Sequence, residues 1–310
     1  MRVFRYTVAA LLLGLAAAAP ASAAHHLAES ISPQTRADLV AAAHGEAFAH
    51  AKYFAYAAEA RRAGYRSVAQ LFMRTHHVEL HDHFMALASL AGLIGSNADN
   101  LRDAIAGEDS EATTLYPQFA AQALTQGDTS ANDFWTELAG DEATHRDAFA
   151  QALTAITTPS SGATIPTGPT VDPYPIAAAP PRSTGVTLEN LMTTIRGESF
   201  AHAKYMTYGE KARHTAQPAL AALWRSTAAV ELGEHFAEGA TRGGLIGPTV
   251  ANLREAIQGE ITEATQTYPG YASQAAAAGD REAADLFTEL AQDEAGHAAA
   301  FEEALKHPHQ

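Results

Sequence analysis

The sequence predicts an all-α protein made from one four-helix unit used twice. Three observations carry that reading: an internal repeat of domain length, apolar residues at helical rather than strand spacing, and short breaks marked by glycine or a capping residue. Segment 39–153 pairs with segment 191–305 at a constant offset of 152 positions, without a gap, and about half of the paired positions are identical. His44-Gly-Glu-Ala-Phe-Ala-His-Ala-Lys-Tyr53 stands opposite Arg196-Gly-Glu-Ser-Phe-Ala-His-Ala-Lys-Tyr205, and Asp141-Glu-Ala-Thr-His145 opposite Asp293-Glu-Ala-Gly-His297.

In the first copy the apolar periodicity places helices near 34–63, 66–90, 98–126 and 129–155, with breaks at Gly64, at 92–97 and at Gly127-Asp128. The second copy follows at the same offset. Asp128 and Asp280 are N-cap candidates, because a short acidic side chain can bond the free amides of a first helical turn. Pro117 and Pro269 fall inside the third helix of each copy and should bend it. The expected organisation is a leader over 1–23, a repeat over 34–155, a linker over 156–186 and a second repeat over 187–306. That linker holds seven of the chain's 14 prolines, with Ser, Thr and Gly between them, and reads as extended.

The chain has 310 residues, of which 47% are apolar, enough to build two cores. It has no cysteine, which excludes disulfides, thiolate metal sites and a cysteine nucleophile. Its 35 acidic residues against 20 basic ones argue against nucleic acid as a partner, since phosphate binding needs a basic surface. Arg2 and Arg5 precede an apolar run from Val8 to Ala19, followed by Pro20-Ala21-Ser22-Ala23. This is the pattern of a secretory leader cut after Ala23; a membrane span needs about 20 apolar residues, more than this run offers. No later segment is long and apolar enough to span a membrane. Cleavage removes two arginines and no acid, leaving 18 basic residues against 35 acidic ones, a net charge of −17. The expectation is an exported, acidic protein, periplasmic or extracellular.

The inward stripe of each helix, at spacings of three and four, is apolar at its ends and acidic in the middle. The first reads Leu39, Ala43, Glu46, His50, Tyr53, Ala57, and the second Val68, Phe72, Thr75, Glu79, His83, Ala86, Leu90. The third reads Leu101, Ile105, Glu108, Glu111, Leu115, Phe119, and the fourth Ala131, Phe134, Leu138, Glu142, His145, Phe149. The second copy keeps the same set: Glu198, Glu231, His235, Glu260, Glu263, Glu294 and His297. Carboxylates facing one another in a core would lose several kcal/mol of solvation each and repel. Cations at the centre relieve both costs, and carboxylate with imidazole suits iron, manganese or zinc. A single Glu-x-x-His on a helix is usually solvated surface. Four interrupted stripes, retained in both copies, point instead to a carboxylate-bridged dimetal site of the kind four-helix bundles hold.

These residues resemble the rubrerythrin branch of the ferritin-like diiron proteins. The matching stretches are Gly45-Glu46 with Tyr53, Gly107-Glu108-x-x-Glu111 with Tyr116-Pro117, and Glu142-x-x-His145. They recur at Gly197-Glu198, Gly259-Glu260-x-x-Glu263 with Tyr268-Pro269, and Glu294-x-x-His297. The resemblance covers both repeats and implies two ferritin-like bundles. It implies Glu79 and Glu142 as bridging ligands, Glu46 and Glu108 or Glu111 as terminal ones, and His145 capping one metal. The second helix departs from the family, with Glu79-x-x-x-His83 in place of Glu-x-x-His and Asp82 at the family's histidine position. Copy two repeats this with Glu231, Glu234 and His235. On a helix either +3 or +4 can reach the metal. His50 and His202, one turn beyond Glu46 and Glu198, are an extra ligand, a hydrogen-bond partner or ordinary core.

Ferritin-like bundles need a long crossover between their second and third helices. Here the gap from Leu90 to Ala98 reaches at most about 28 Å. The crossover must regain about 15 Å of helix on either side of the site. A local crossover barely fits, which predicts that helix pairs swap between the copies. One site then combines Glu46, Glu79 and His83 with Glu260, Glu263, Glu294 and His297; the other takes the complementary set.

The resemblance implies two dimetal centres, of iron, with manganese or zinc as alternatives, acting on peroxide or on dioxygen with ferrous iron. It implies a peroxidase- or ferroxidase-type oxidoreductase. Tyr53, Tyr116, Tyr205 and Tyr268 could then hydrogen-bond site carboxylates or bound oxygen species, core packing being the other reading. Without a cysteine-held iron centre, electrons must come from a separate donor. A metal-buffering protein without turnover and a structural bundle with vestigial sites are the competing expectations.

Overall fold

The computed structural model describes residues 31–309, so the expected leader over 1–23 lies outside the described residues. These residues form eight long helices and no strand. α1 is Pro33–Arg62; α2 is Arg66–Val78, a π-helical turn Glu79–Phe84, and Met85–Leu90. α3 is Asn97–Ser110, a π turn Glu111–Leu115, and Tyr116–Thr125; α4 is Thr129–Thr157. In the second repeat, α5 is Gly185–His214, and α6 is Pro218–Val230, a π turn Glu231–Phe236, and Ala237–Arg242. α7 is Thr249–Thr262, a π turn Glu263–Thr267, and Tyr268–Ala278; α8 is Arg281–Lys306.

Local chemistry sets the helix ends. Ser32 and Ser96 cap α1 and α3 by accepting the amides of Thr35 and Asp99 at 3.1 and 3.2 Å. Asp128 caps α4 in the expected way, accepting Ala131 N at 3.0 Å. Asp280 occupies the cap position of α8 but makes no cap bond; its carboxylate accepts Ser32 N at 3.0 Å instead, tying α8 to the start of α1.

The bundles do not follow the repeats. The hairpin α1–α2 packs on α7–α8, and α5–α6 packs on α3–α4. One apolar cluster joins Leu39, Phe84 and Leu87 to Tyr268, Phe287 and Leu290, and another joins Tyr53 and Phe72 to Leu253 and Phe301. In the second bundle Leu101 and Phe149 meet Tyr205 and Trp224, and Trp135 meets Leu191. The predicted swap of helix pairs is therefore present, and each bundle has an apolar cluster at both ends. Ala51 and Ala55 pack with Ile195 and Phe236 along the seam between bundles.

Each π turn adds a residue to its turn, so the inward stripe slips by one beyond it. Leu87 is buried where the regular stripe puts Ala86, and Tyr116 where it puts Leu115. Pro117 and Pro269, where bends are expected, each stand two positions beyond the end of a π turn. The segment 158–184, apart from a 3-10 turn Pro159–Ser161, is extended and lies along α6: Tyr174 N donates to Gly233 O at 2.8 Å and Arg182 N to Arg242 O at 2.8 Å.

Candidate metal centres

Between the apolar ends of each bundle lies a layer of acid and imidazole. In the α1–α2–α7–α8 bundle, His83 Nδ1 stands 2.8 Å from Glu79 Oε2, 3.2 Å from Glu294 Oε1 and 3.6 Å from Glu46 Oε2. His297 Nδ1 stands 2.8 Å from Glu294 Oε2, 3.2 Å from Glu79 Oε1 and 3.6 Å from Glu260 Oε2. Glu79 and Glu294 thus turn one oxygen to each imidazole, while Glu46 and Glu260 serve one side each. The other bundle repeats this. His145 Nδ1 meets Glu142 Oε2 at 2.9 Å, Glu231 Oε1 at 3.1 Å and Glu108 Oε2 at 3.7 Å. His235 Nδ1 meets Glu231 Oε2 at 2.9 Å, Glu142 Oε1 at 3.2 Å and Glu198 Oε2 at 3.6 Å.

Each π turn bears on the helical choice between +3 and +4. With i→i+5 bonding the +4 residue comes back under its start, so His83 lies over Glu79 and His235 over Glu231. Asp82 is exposed, and Glu234 accepts the amide of Asp172 in the linker. Glu111 and Glu263 stand at the border of the clusters. An added Cβ on Gly197 would lie 3.6 Å from Glu111 Oε1, and one on Gly45 3.8 Å from Glu263 Oε1, so these carboxylates run close to the backbones of α5 and α1.

Three of the four singled-out tyrosines bond the layer. Tyr53 donates to Glu260, Tyr116 to Glu198 and Tyr205 to Glu108, each across the swapped pairs. Tyr268 is buried with its ring stacked on Phe287. His50 and His202 are core histidines of the seam, their rings stacked at 5.0 Å. His50 Nδ1 donates to His76 O at 2.7 Å and His202 Nδ1 to Ala228 O at 2.6 Å, and neither joins a cluster.

Within each layer burial and mutual repulsion oppose the ionisation of several carboxylates. Burial, then repulsion from neighbouring glutamates, pushes Glu46 and Glu108 well above the usual carboxylate range, and Glu198 and Glu263 to about 8. For His297 burial alone would lower the pKa, but the facing carboxylates of Glu260, Glu294 and Glu79 hold it up at about 12. Many of these atoms also lack a hydrogen-bond partner although buried, including Glu46 Oε1, both oxygens of Glu79, Glu260 Oε2, Glu142 Oε1 and Glu231 Oε1. Orphaned oxygens with Nδ1 atoms among them fit a pair of borderline divalent cations bridged by two carboxylates.

Sequence reasoning missed Asp141 and Asp293. Asp141 Oδ2 lies 3.4 Å from His235 Nε2, and Asp293 Oδ2 3.5 Å from His83 Nε2. Asp141 thereby orients the His235 imidazole so that Nδ1 faces the cluster, and Asp293 lies at the matching place beside His83. The signal was an aspartate directly before Glu142 and Glu294; the swap hid it, because the histidine it serves is in the other repeat.

The sequence model of the Rubrerythrin family matches residues 38–153 and 233–305, together more than half of the chain. A Rubrerythrin from Porphyromonas gingivalis is 34% identical over 132 residues, covering 39% of this chain and 66% of that protein. A Nigerythrin from Nitratidesulfovibrio vulgaris is 34% identical over 152 residues, covering 45% of this chain and 75% of that protein. Rubrerythrin-2 from Clostridium acetobutylicum is 30% identical over 132 residues, covering 38% and 72%. With the fold, the acidic layers and these matches together, the chain belongs to the rubrerythrin family.

Proposed function

We propose that each bundle holds a diiron centre that reduces hydrogen peroxide to water with electrons from a separate donor. The observation that carries this reading is the pair of carboxylates in each layer, Glu79 with Glu294 and Glu142 with Glu231, each offering one oxygen to either side. Glu46, Glu79, His83, Glu260, Glu294 and His297, and their counterparts in the other bundle, would hold two ferrous ions, whose two electrons with two protons would take H2O2 to two waters. Peroxide, rather than dioxygen, is the oxidant that membership of this family favours.

The protein's own residues prepare that chemistry. Asp141 accepts the Nε2 proton of His235 and keeps its Nδ1 free to ligate, and Asp293 stands beside His83 at the matching place. Tyr53 and Tyr116 hold Glu260 and Glu198 in place and leave a hydroxyl beside the reacting space. The apolar clusters at both ends of each bundle keep bulk water from the layer, which strengthens every charge interaction there. A secretory leader over 1–23, as the sequence pattern suggests, would place this activity outside the cytoplasm.

An anaerobic ferrous titration of the mature protein, followed by peroxide or by oxygen, tests the reading. Saturation at four irons per chain and oxidation of two irons per peroxide support it. Faster oxidation by oxygen than by peroxide would make the protein a ferroxidase. Binding with no redox response would make it a metal buffer.

A further inference from the structure

One basic cavity stands apart from this acidic molecule. Its volume is about 520 Å³, and it is lined by Arg61 on α1 with Arg66, Ala69, Gln70, Met73 and Arg74 on α2. The three arginines are exposed, and among the described residues none is paired with a carboxylate, whereas the adjacent Arg62 is held by Glu59 at 2.8 Å. Unpaired guanidinium groups beside a half-buried Met73 make an anion-accepting rim around an apolar floor.

The repeat supplies an internal comparison. Opposite Arg66, Gln70 and Arg74 stand Pro218, Ala222 and Ser226. That face of α6 lies under the linker: an added Cβ on Gly168 would fall 1.7 Å from Ser226 Oγ, and Ile165 packs with Leu223 and Trp224. The cavity therefore serves one bundle only. Its floor is near that bundle's centre, since Met73 precedes Glu79 by six residues, about 9 Å of helix rise. Phe72, beside Met73, stacks at 5.7 Å on Tyr53, which bonds Glu260.

We propose that this cavity is the docking surface for an acidic one-electron carrier protein that re-reduces the centre of the α1–α2–α7–α8 bundle. The proposal rests on the redox reading above. A net charge of −15 repels an acidic partner from most of the surface, so a patch of three uncompensated arginines selects its docking point. Two reduced carriers deliver one electron each, so an oxidised dimetal centre regains two electrons and no bond to the carrier forms.

The test uses a plant-type [2Fe–2S] ferredoxin as the acidic probe and the triple variant Arg61→Glu, Arg66→Glu, Arg74→Glu. Calorimetry on zinc-loaded protein reads binding without redox chemistry. Stopped-flow with iron-loaded protein reads reduction by ferredoxin and, separately, by dithionite. The expected result is at least a tenfold loss of ferredoxin affinity in the variant at low salt, and a weaker loss for the glutamine versions. In the native protein a fast phase accounts for half of the reducible centres, and dithionite reduction is the same in both proteins. Equal ferredoxin binding and reduction in both proteins overturns the docking surface. Binding of inorganic phosphate but not ferredoxin overturns it in favour of a small-anion site. Failure of dithionite to reduce the iron-loaded protein defeats the redox reading instead, and with it this proposal, whatever the calorimetry shows.

Discussion

His83 Nδ1 lies 2.8 Å from Glu79 Oε2, four positions earlier on the same helix, because a π turn brings that spacing onto one face. The same relation holds at 2.9 Å between His235 and Glu231. His83→Ala should therefore remove metal from one bundle and leave the other loaded, while Asp82→Ala leaves both loaded. Metal analysis after desalting reads the difference. Asp141→Asn, which spares His235 but not its orientation, should weaken the His235 site about 10–100-fold.

Tyr53→Phe and Tyr116→Phe each remove a hydroxyl bonded to a terminal carboxylate. Each should slow peroxide-driven oxidation in its own bundle about tenfold, with four metals per chain retained. Tyr268→Phe, whose ring stacks on Phe287, should change the rate little. Single-turnover absorbance on each variant separates the two classes.

The swap makes each repeat incomplete alone. A chain ending at residue 161 carries Glu46, Glu79 and His83 together with Glu108, Glu142 and His145, but the structure places these triads in different bundles. Expressed alone, it should form a dimer that rebuilds both layers between two copies. A metal-loaded monomer, seen by light scattering, would contradict the arrangement.

Metal-free protein should lose stability as pH rises. Glu198 and Glu263 move from 4.5 up to about 8 through burial and neighbouring glutamates. Their contribution is full below about 4.5 and is lost as pH rises through about 8. His297, raised from 6.5 to about 12, acts in the same direction at higher pH. Glu294, lowered to about 2, contributes a constant amount throughout this window and loses it only in acid. Thermal unfolding should fall from pH 6 to pH 9 without metal. It should recover when zinc or iron takes the place of the protons.

Gly168→Ala should destabilise by about 1–3 kcal/mol through overpacking against Ser226, since a Cβ there meets Ser226 Oγ at 1.7 Å. Gly107→Ala, in open space on α3, is the matched control. Melting temperatures of the two variants read the linker's grip on α6.

Much of this molecule was legible in its sequence. The four helices per repeat start and stop where caps and glycines place them. The acidic mid-stripe residues are buried, Glu46 and Glu79 in one layer and Glu108 and Glu142 in the other, because apolar neighbours at helical spacing bury whatever lies between them. Even the exchange of helix pairs was suggested by one length, since across the gap from Leu90 to Ala98 a local crossover barely fits. Periodicity could not show the π turns, because a regular stripe assumes constant winding; Leu87 and Tyr116 are buried one position later than that assumption allows. Nor could it pair Asp293 with His83 or Tyr53 with Glu260, since each pair joins residues from different repeats. One sequence thus determined the elements and the kinds of groups in the layer. Only the packing of α1–α2 against α7–α8 decided which groups face one another, because that depends on contacts more than 200 residues apart along the chain.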